Sequence, residues 1–445
     1  MKKNDIFEIE ITGMTDDGSG VGRAEGMAVF VPHTIVGETV SVLIVKLMKS
    51  YAIGKLLEVI KPSPKRVKAD CEYYYKCGGC ALRHMSYDEE LRFKQKKVED
   101  CFLRIGGFEN LNINPIIPFG SRNRYRNKSQ FPVTPEGIGM FANHSHRLIE
   151  ISDCLISAEA SKRITDAVRY WMKTYGAEPY DEKTGKGTVR NIYTRCGSSG
   201  TIVCIVTKTR ELPYGAELVE ELKACGADVC GVVQNINPKD TNVVLGKETK
   251  TLWGAGELID NIGKTKFYIS PLSFYQVNKK QTERLYNTAL KCADLKGDEI
   301  LWDMYCGIGT IGQYMADKCK KVIGVEVVPE AIENAVRNAK LNNIKNAEYY
   351  CGKAEKVIES LLARGETPDT VILDPPRKGC DKRLLETLCG IEGLNKIVYI
   401  SCKPSTLARD AKILAARSFK IKTVIPVDMF PATPHVETVC LLSRE

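Results

Sequence analysis

The chain of 445 residues lacks long hydrophobic runs, low-complexity tracts and internal repeats. No run approaches the roughly 18 apolar residues of a membrane-spanning helix, and the amino-terminal MKKNDIFEIE has two lysines without the apolar stretch of a secretory signal. We therefore expect a cytoplasmic protein with no membrane partner. A large charge excess is also missing. Lys and Arg number 64 against 55 Asp and Glu, and the net charge of +9 hints at an acidic partner without identifying nucleic acid.

What the chain does have is length, average hydrophobicity and many cysteines. At about 150 residues per domain, its length predicts roughly three domains. A content of 43% hydrophobic and 27% charged residues excludes wholesale disorder. The 17 cysteines form an odd and large set. Without a secretory signal they indicate reduced thiols, metal ligation or thiolate chemistry rather than a disulfide scaffold, and most of them are expected to be small buried hydrophobes.

The pattern along the chain changes several times and predicts an α/β protein. Residues 1–60 alternate short β-like runs with glycine-rich turns, which predicts a small N-terminal β-barrel. Residues 61–100 contain a linker and a cysteine segment, and residues 101–270 predict a mixed α+β central domain. From 271 to 445 strands alternate with helices, which predicts a doubly wound Rossmann-like domain. Part of an amphipathic segment at 84–115 is expected to pack on this last domain.

The segment DMYCGIGTIG follows a predicted strand and opens a predicted helix. Gly307, Gly309 and Gly312 spell G-x-G-x-x-G, a turn that lets a ligand approach the backbone at the carboxyl end of a strand. Glu326 stands near the end of the next strand, 17 residues after Gly309, where a carboxylate can accept hydrogen bonds from ribose hydroxyls. A nicotinamide dinucleotide and S-adenosylmethionine both fit such a site.

Three further residues lie at predicted strand ends. Asp374 in TVILDPPRKG begins an Asp-Pro-Pro that is typical of adenosylmethionine-dependent methyltransferases acting on nucleobases, and this favours that cofactor. Cys402 in YISCKPSTLARD lies at the edge where open α/β sheets bind ligands. Because the thiolate is the reactive form, Lys403 and the following helix are expected to lower the pKa of this thiol. Glu437 in PHVETVCLL offers a proton acceptor.

These groups suit methylation of carbon 5 of uracil, which is a poor nucleophile. Addition of a thiolate at carbon 6 turns the ring into an enolate, and carbon 5 then attacks the sulfonium methyl group. A base must afterwards remove the hydrogen from carbon 5 so that the thiolate can leave. The reaction therefore needs a methyl donor, a thiol and a base, and the sequence offers a candidate for each.

The motifs SFYQVN, DMYCGIGTIG, DPPRKG, YISCKPSTLARD and PHVETV have the order and spacing found in RNA uracil-5-methyltransferases. The chain resembles that family throughout its length, and within it most resembles the bacterial iron–sulfur 23S rRNA uridine methyltransferases. The resemblance implies Cys402 as nucleophile, Glu437 as base and Phe274 as an aromatic contact to the target region. It implies that adenosylmethionine is bound by Gln276, Tyr305, Thr310, Glu326 and Asp374. One departure is GKAEK, where Lys353 and Ala354 replace the acidic or polar residue that usually meets adenine, so no adenine contact is assigned.

Cys71, Cys77 and Cys80 form a compact set of thiols. A closed zinc site takes four ligands, and an iron–sulfur cluster commonly takes four thiolates. The residues alone leave Cys101 and Cys154 as candidates for the fourth. The resemblance implies a 4Fe–4S cluster on Cys71, Cys77, Cys80 and Cys154, with zinc and unligated thiols as the alternatives. A structural role for the cluster is physically sufficient, because methyl transfer itself requires no electrons.

Two basic segments predict RNA contacts. The N-terminal barrel resembles a TRAM domain, an OB-like RNA-binding module, and its end carries a dense basic set: Lys46, Lys49, Lys55, Lys61, Lys65, Arg66 and Lys68. In SRNRYRNKSQ, a strand period would point four basic residues to one face and Tyr125 to the other. These four are Arg122, Arg124, Arg126 and Lys128. The alternative for both segments is a solvated charged face. Phe274 and Tyr275 are the candidates to hold a flipped base.

The resulting hypothesis is a monomeric 23S rRNA (uracil-C5)-methyltransferase that uses S-adenosylmethionine and carries a 4Fe–4S cluster. The second interpretation is the tRNA branch of the same family, which generally lacks both the cluster and the TRAM domain. The third is an RNA-binding iron–sulfur protein with a dead methyltransferase site, against which the presence of Cys402, Glu437 and Asp374 argues. The fourth is a dehydrogenase.

Overall fold

The computed structural model describes residues 1–239 and 243–444. Within these ranges the strands form a closed five-stranded barrel, a seven-stranded central sheet, a two-stranded hairpin and a second seven-stranded sheet. The described helices include none that is both long and apolar enough to cross a membrane. All 17 cysteines are free thiols.

The N-terminal barrel forms because alternate residues of its strands are apolar and point inward. Its strands are β1 (Ile6–Met14), β2 (Gly20–Ala24), β3 (Met27–Val31), β4 (Thr39–Leu47) and β5 (Tyr51–Lys61). They pair in the order β1-β2-β3-β5-β4, and β4 closes the barrel onto β1. The predicted basic residues at its end are exposed except Arg66, whose guanidinium binds buried Glu38 at 2.5 Å. Arg66 is therefore a structural residue.

One long helix connects the barrel to the C-terminal part of the chain. Helix α1 (Tyr87–Cys101) begins at Ser86, whose side chain accepts a hydrogen bond from the amide of Glu89, and continues into a π-helical turn, Phe102–Gly106. Lys94 of α1 is fully buried, and its Nζ lies 2.7 Å from Glu90 and 2.6 Å from Asp428. Val98 and Phe102 join the core of the C-terminal domain. This helix therefore packs as part of that domain.

The central domain is a mixed sheet covered on one face by two helices. Its strands are β6 (Lys128–Thr134), β7 (Gly137–Phe141), β8 (Leu148–Glu150), β9 (Val189–Gly197), β10 (Gly200–Thr207), β11 (Val229–Ile236) and β12 (Glu248–Gly254), and its helices are α2 (Glu159–Tyr175) and α3 (Gly215–Ala224). The strand order is β12-β11-β10-β9-β6-β7-β8. The face opposite the helices shares an apolar core with the hairpin β13 (Leu258–Ile262) and β14 (Thr265–Ile269) and with the C-terminal domain.

The C-terminal domain is a doubly wound sheet between two layers of helices. Its strands are β15 (Ile300–Asp303), β16 (Lys321–Glu326), β17 (Ala347–Cys351), β18 (Thr370–Leu373), β19 (Lys396–Ser401), β20 (Lys420–Val427) and β21 (Glu437–Ser443). Its helices are α4 (Lys279–Ala293), α5 (Thr310–Met315), α6 (Pro329–Leu341), α7 (Ala354–Ala363), α8 (Lys382–Gly390) and α9 (Pro404–Ala415), and a 3₁₀ turn follows α5 at Ala316–Lys318. The strand order is β17-β16-β15-β18-β19-β21-β20, with β21 antiparallel to both of its neighbours.

This architecture confirms the predicted α/β fold class with a small N-terminal barrel and a Rossmann-like domain. In the C-terminal sheet the strand order reverses between β15 and β18. Ligands of open α/β sheets bind at such a switch point, outside the carboxyl ends of the strands. The fold therefore directs attention to the residues that directly follow β15, β16, β18 and β19.

Candidate active site

The glycine-rich loop lies at the carboxyl end of β15. Gly309 has a φ of +84° and directly precedes α5, and this left-handed conformation favours glycine. A Cβ on Gly312 would lie 2.9 Å from Cγ1 of Val322, so only glycine lets α5 pack this closely on β16. Glu326 ends β16, and its carboxylate accepts hydrogen bonds from the amides of Gly307 at 3.2 Å and Val327 at 2.7 Å. The loop and the predicted ribose acceptor are thus held together.

Thr310, Tyr305 and Gln276 have well-defined protein neighbours. The hydroxyl of Thr310 lies 2.8 Å from that of buried Tyr286 on α4. Tyr305 follows β15, and burial together with the nearby Cys380 thiol raises the pKa of its hydroxyl. Gln276 is buried in the loop before α4, and its carbonyl accepts a hydrogen bond from Nδ2 of Asn127 at 3.1 Å. The central domain therefore holds the loop that carries Gln276.

Three carboxyl groups lie at this end of the sheet, and the pKa of each is well above its ordinary value. Burial raises the pKa of Asp303 to about 7, against the effect of a hydrogen bond from the Gly312 amide at 3.0 Å. Burial and Asp303 raise the pKa of Asp374 to about 7. Burial and Asp374 raise the pKa of Glu437 to about 8. Mutually repelling carboxylates in a dry site cannot all be ionised at neutral pH.

Cys402 lies next to Glu437. Ser401, the last residue of β19, pairs with Thr438 of β21, and Cys402 and Glu437 adjoin this pair on the same side. Burial raises the pKa of the Cys402 thiol to about 11, and Glu437 and Asp374 add to the rise, while the Arg377 guanidinium within hydrogen-bonding reach opposes it. The expectation of a lowered pKa is therefore wrong for the free protein, because burial and two carboxyl groups outweigh the positive charge.

The two candidate aromatic residues for a flipped base differ in exposure. Phe274 is 71% exposed and lies close to Leu272, which is also exposed. Tyr275 is 4% exposed and packs in the apolar core shared by the central and C-terminal domains. Tyr275 is therefore a core residue, and Phe274 alone of this pair presents its ring to solvent.

The predicted basic strip is not a strand, because β6 begins only at Lys128. Arg122 donates to the carbonyl of Met85 at 2.8 Å, and Arg124 binds both carboxylate oxygens of Asp153. Arg126 and Lys128 have no carboxylate within 4.0 Å in the described part of the chain. The expected alternation on one strand face is therefore wrong. Arg122 is half-buried and Arg124 is exposed, and the RNA contact stays a prediction for all four residues.

The four candidate cluster thiols come from two segments that pack together. Cys71, Cys77 and Cys80 lie on the loop before α1, and Cys154 influences the pKa of each of them, which reflects their proximity. The loop is held against the central sheet by the amide of Gly78, which donates to the carbonyl of Phe141 at 3.0 Å. Across residues 1–239 and 243–444, no group of three or more His, Cys, Asp or Glu side chains is arranged to hold a metal ion.

Buried Arg83 lies beside this set of thiols. Its guanidinium lies within hydrogen-bonding reach of Cys80, and it binds Asp70 at 2.6 Å, while its Nε has no hydrogen-bond partner among the described residues. Burial raises the pKa of Cys80 to about 12. Positive charge near these sulfurs would favour their thiolate form, and Arg83 supplies part of it.

Sequence reasoning missed three residues of the site. Asp303 is the last residue of β15, so the strand-end argument that selected Asp374 would have found it. Arg377 stands in DPPRKG, and only the fold brings it to Cys402. Tyr286 is fully buried on α4, and its pKa responds to Asp374, Asp303 and Glu437. No local sequence signal marks Tyr286, because it reaches the site from a helix that looks like ordinary core.

Comparisons with known proteins agree with this geometry. The profile of the tRNA (uracil-5-)-methyltransferase family matches residues 257–445, and the TRAM domain profile matches residues 2–57. An RNA methyltransferase of Clostridium tetani is 45% identical over 449 aligned positions, which cover 100% of this chain and 97% of the relative. An RNA methyltransferase of Listeria innocua is also 45% identical, and the alignment covers 100% of this chain and 98% of the relative.

A solved structure is similar over nearly the whole chain. It is that of the Pyrococcus abyssi tRNA (uracil-54, C5)-methyltransferase in complex with S-adenosyl-L-homocysteine. The sequences are 29% identical, the TM-score is 0.80, and the match covers 98% of this chain and 100% of the other. The similarity therefore extends over the barrel, the central sheet and the C-terminal domain together.

Proposed function

The chain belongs to the RNA uracil-5-methyltransferase family and carries an N-terminal TRAM domain, and from this we propose that it methylates carbon 5 of uridine in 23S rRNA through a covalent cysteine–uracil adduct. Its methyl donor is S-adenosylmethionine, and its substrate is RNA. The observation that carries the covalent mechanism is the proximity of Cys402 to Glu437 and Asp374 at the carboxyl edge of the sheet.

Cys402, Arg377 and Glu437 have separate proposed roles in the reaction. Cys402 would lose its proton to solvent and add as the thiolate to carbon 6 of the uracil, and Arg377 would stabilise that thiolate as it forms. After carbon 5 has taken the methyl group, Glu437 would accept the proton from carbon 5, which lets the thiolate leave. With a pKa of about 8, ionised Glu437 binds the abstracted proton firmly, and the fraction of Glu437 in this ionised, base-competent form grows as the pH rises toward 8.

The cofactor contacts are proposed on the same basis. Tyr305, Glu326 and Asp374 lie at the carboxyl ends of β15, β16 and β18. Thr310 begins α5, and Gln276 lies in the loop before α4, whose Tyr286 reaches the Thr310 hydroxyl. Glu326 keeps a carboxylate at the end of β16, where ribose hydroxyls are commonly bound. Phe274, with its exposed ring, is proposed to hold the target base outside its stack.

A 4Fe–4S cluster is proposed on Cys71, Cys77, Cys80 and Cys154. The residues fit the group in two respects: the four thiols come together from separate segments, and the unpaired Nε of buried Arg83 lies beside them. Zinc, which takes four ligands in a closed structural site, is the alternative occupant of these thiols. The cluster would tie the loop before α1 to the central domain.

The choice of rRNA over tRNA rests on the resemblance of the motifs and of the cysteine set to the iron–sulfur rRNA enzymes. The barrel does not discriminate between the two substrates, because the match to the P. abyssi tRNA methyltransferase covers 98% of this chain, the barrel included. The tRNA remains the second candidate because the P. abyssi structure is that of a tRNA (uracil-54, C5)-methyltransferase. The deciding experiment is to map 5-methyluridine in rRNA and tRNA from a deletion strain and from strains complemented with parent or Cys402→Ala protein. Methylation of 23S rRNA that returns only with the parent supports the proposal, and a change confined to tRNA overturns it.

A direct test of the covalent step uses purified Cys402→Ala protein. Turnover should be abolished, while adenosylmethionine binds as in the parent, because the thiol is proposed to meet the uracil and not the cofactor. Cys389→Ala is the matched control, since Cys389 is a partly buried thiol on α8. Methyl transfer near the parental rate in the Cys402→Ala variant would exclude the covalent mechanism.

A further inference from the structure

Three cationic side chains cluster beneath the loop that carries Phe274. Lys128 of β6 and Arg195 of β9 are direct cross-strand partners in antiparallel register. Arg126 lies next to them and donates from its Nε to the carbonyl of Lys128 at 3.4 Å. Like charges placed directly opposite each other on neighbouring strands destabilise a sheet. The ring of Tyr193 lies 5.6 Å from Nζ of Lys128 and 5.8 Å from Cζ of Arg195 and offsets part of this repulsion, but it carries no negative charge to neutralise the cations.

Arg195 has unused hydrogen-bonding capacity in this cluster. It is 2% exposed, and its Nη2 donates to the carbonyl of Ser273 at 2.8 Å and to the hydroxyl of Tyr193 at 2.9 Å. Its Nε and Nη1 are buried and have no partner among the residues described by the structure. A buried charged donor left unpaired is costly, and such costs are concentrated at sites that bind something.

No protein carboxylate neutralises the cluster. Within residues 1–239 and 243–444, Arg126, Lys128 and Arg195 have no acidic side chain within 4.0 Å. The acidic residue on the neighbouring hairpin, Asp260, is already paired with Lys279 at 2.6 Å. Burial and the two neighbouring arginines lower the pKa of Lys128 to about 8. An anion that entered the cluster would satisfy all three cations together.

The position of the cluster indicates which anion it takes. Arg195 holds the carbonyl of Ser273, and the next residue is Phe274, whose ring is proposed to hold the target base. We propose that Arg126, Lys128 and Arg195 form a binding site for the RNA backbone phosphate next to the extruded uridine. This inference rests on the proposed function, since it takes Phe274 as the residue beside the target base. The guanidinium of Arg195 suits a phosphate because its donors match phosphate oxygens in pairs.

The test measures binding of a hairpin RNA with a single loop uridine, in the presence of S-adenosylhomocysteine. Each loop phosphate is replaced in turn by a neutral methylphosphonate. In the parent, one linkage should weaken binding about tenfold when neutralised, as expected for loss of a charge-assisted contact. In Lys128→Gln and Arg126→Gln proteins the same linkage should matter little, because the contact is already lost. The slope of log affinity against log salt should fall by about 0.7 for each lost phosphate contact to the single-stranded loop.

Two control variants distinguish a phosphate site from a general loss of positive charge or of folded structure. Lys250→Gln removes an exposed charge from β12 at the far edge of the same sheet and should leave the linkage effect unchanged. Arg195→Lys keeps the positive charge but lacks the planar guanidinium with its paired donors. This variant should stay folded and should lose less affinity than the parent when the same linkage is neutralised. Equal linkage effects in parent and Lys128→Gln proteins would overturn the proposal, as would weaker adenosylmethionine binding, which would assign the cluster to the cofactor carboxylate. The same hairpin is then incubated with the protein and S-adenosylmethionine. A linkage effect without formation of 5-methyluridine would overturn the proposed function and leave the phosphate site standing.

Discussion

Cys402 and Glu437 both adjoin the pair formed by Ser401 and Thr438, where the register of β19 with β21 ends, so the two residues lie close together. The two residues are 35 positions apart in the chain, and the antiparallel pairing of β19 with β21 brings them together. Glu437 is the first residue of β21 and Cys402 directly follows β19, so neighbouring strands of one sheet hold the candidate nucleophile and base relative to each other. This relationship gives the first prediction.

Replacing Glu437 with Gln should stop the reaction after methyl transfer. The amide cannot accept the proton from carbon 5, so Cys402 stays bonded to carbon 6 and a protein–RNA adduct accumulates. Denaturing gel electrophoresis with labelled RNA would reveal it as a slower band. The double variant Cys402→Ala with Glu437→Gln is the control and should give no band. Normal turnover of Glu437→Gln without an adduct would remove Glu437 from the role of base.

The rate should rise with pH because the Cys402 thiol has a pKa of about 11 in the free protein. Below that value the thiolate fraction increases about tenfold per pH unit, so kcat/KM should climb steadily from about pH 6 to about pH 9. Arg377→Gln removes the charge that favours the thiolate, so this rising limb should move to higher pH. Arg383→Gln, an exposed arginine on α8, should leave the limb in place. A profile unchanged in Arg377→Gln protein would exclude electrostatic activation of Cys402 by Arg377.

Stability should fall as pH rises. Glu437 has a folded-state pKa of about 8, above the value expected in the unfolded chain, so the folded protein binds this proton more tightly. Its contribution is fully present below about pH 4 and is lost as pH rises through about 8. The free energy of unfolding by urea, measured without cofactor, should therefore drop between about pH 5 and about pH 9. Glu437→Gln should drop by a few kcal/mol less, since the amide does not titrate. Equal drops would mean that Glu437 titrates normally.

Anaerobically purified protein should be brown and contain iron. Cys154→Ala should lose iron to the same extent as Cys77→Ala, because either change leaves the cluster with three thiolates. Cys101→Ala is the matched control, since Cys101 is a partly buried thiol at the end of α1, and its iron content should equal that of the parent. Iron loss in Cys101→Ala but not in Cys154→Ala would transfer the fourth ligand to Cys101. One zinc without iron in the parent would replace the cluster with a zinc site.

Lys94→Met should be strongly destabilising. The change leaves Glu90 and Asp428 buried without their cation, and breaking a buried pair in this way costs about 3–5 kcal/mol. Lys96→Met, two positions away on the exposed side of α1, should change stability by less than about 0.5 kcal/mol. Adding Glu90→Gln and Asp428→Asn to Lys94→Met should restore part of the loss. Thermal unfolding midpoints would report all of these variants, and equal midpoints for Lys94→Met and parent would contradict the prediction.

The sequence predicts well what depends on repeating patterns and strand ends. Alternation of strands with helices is enough to predict the C-terminal sheet, and the strand-end rule selects Asp374 and Cys402 near its carboxyl edge. The rule does not give the sign of the pKa shift at Cys402, because that sign depends on burial and on Glu437 from another strand. Arg377 escapes the rule for the same reason, since its contact with Cys402 is made by tertiary structure.

The basic segment before β6 shows where a local sequence pattern fails to predict the structure. Alternating arginines look like one face of a strand, but Arg122 and Arg124 find partners that no local pattern reveals: the carbonyl of Met85 and the carboxylate of Asp153. The aromatic pair behaves likewise. Phe274 and Tyr275 are adjacent and chemically similar, yet the first is exposed and the second is core, because only the packing of the central sheet decides which ring is covered.

The buried pairing of Lys94 with Asp428 constrains the order of events during synthesis on the ribosome. Helix α1 emerges early, but the acidic partner that completes its charge balance comes 334 positions later. Until then α1 has Glu90 alone to neutralise Lys94 and no C-terminal sheet on which to pack. Helix α1 can therefore reach its final packing on the C-terminal domain only after translation is nearly complete. Because this contact joins residues so distant in the chain, we expect it to form more slowly than the barrel folds.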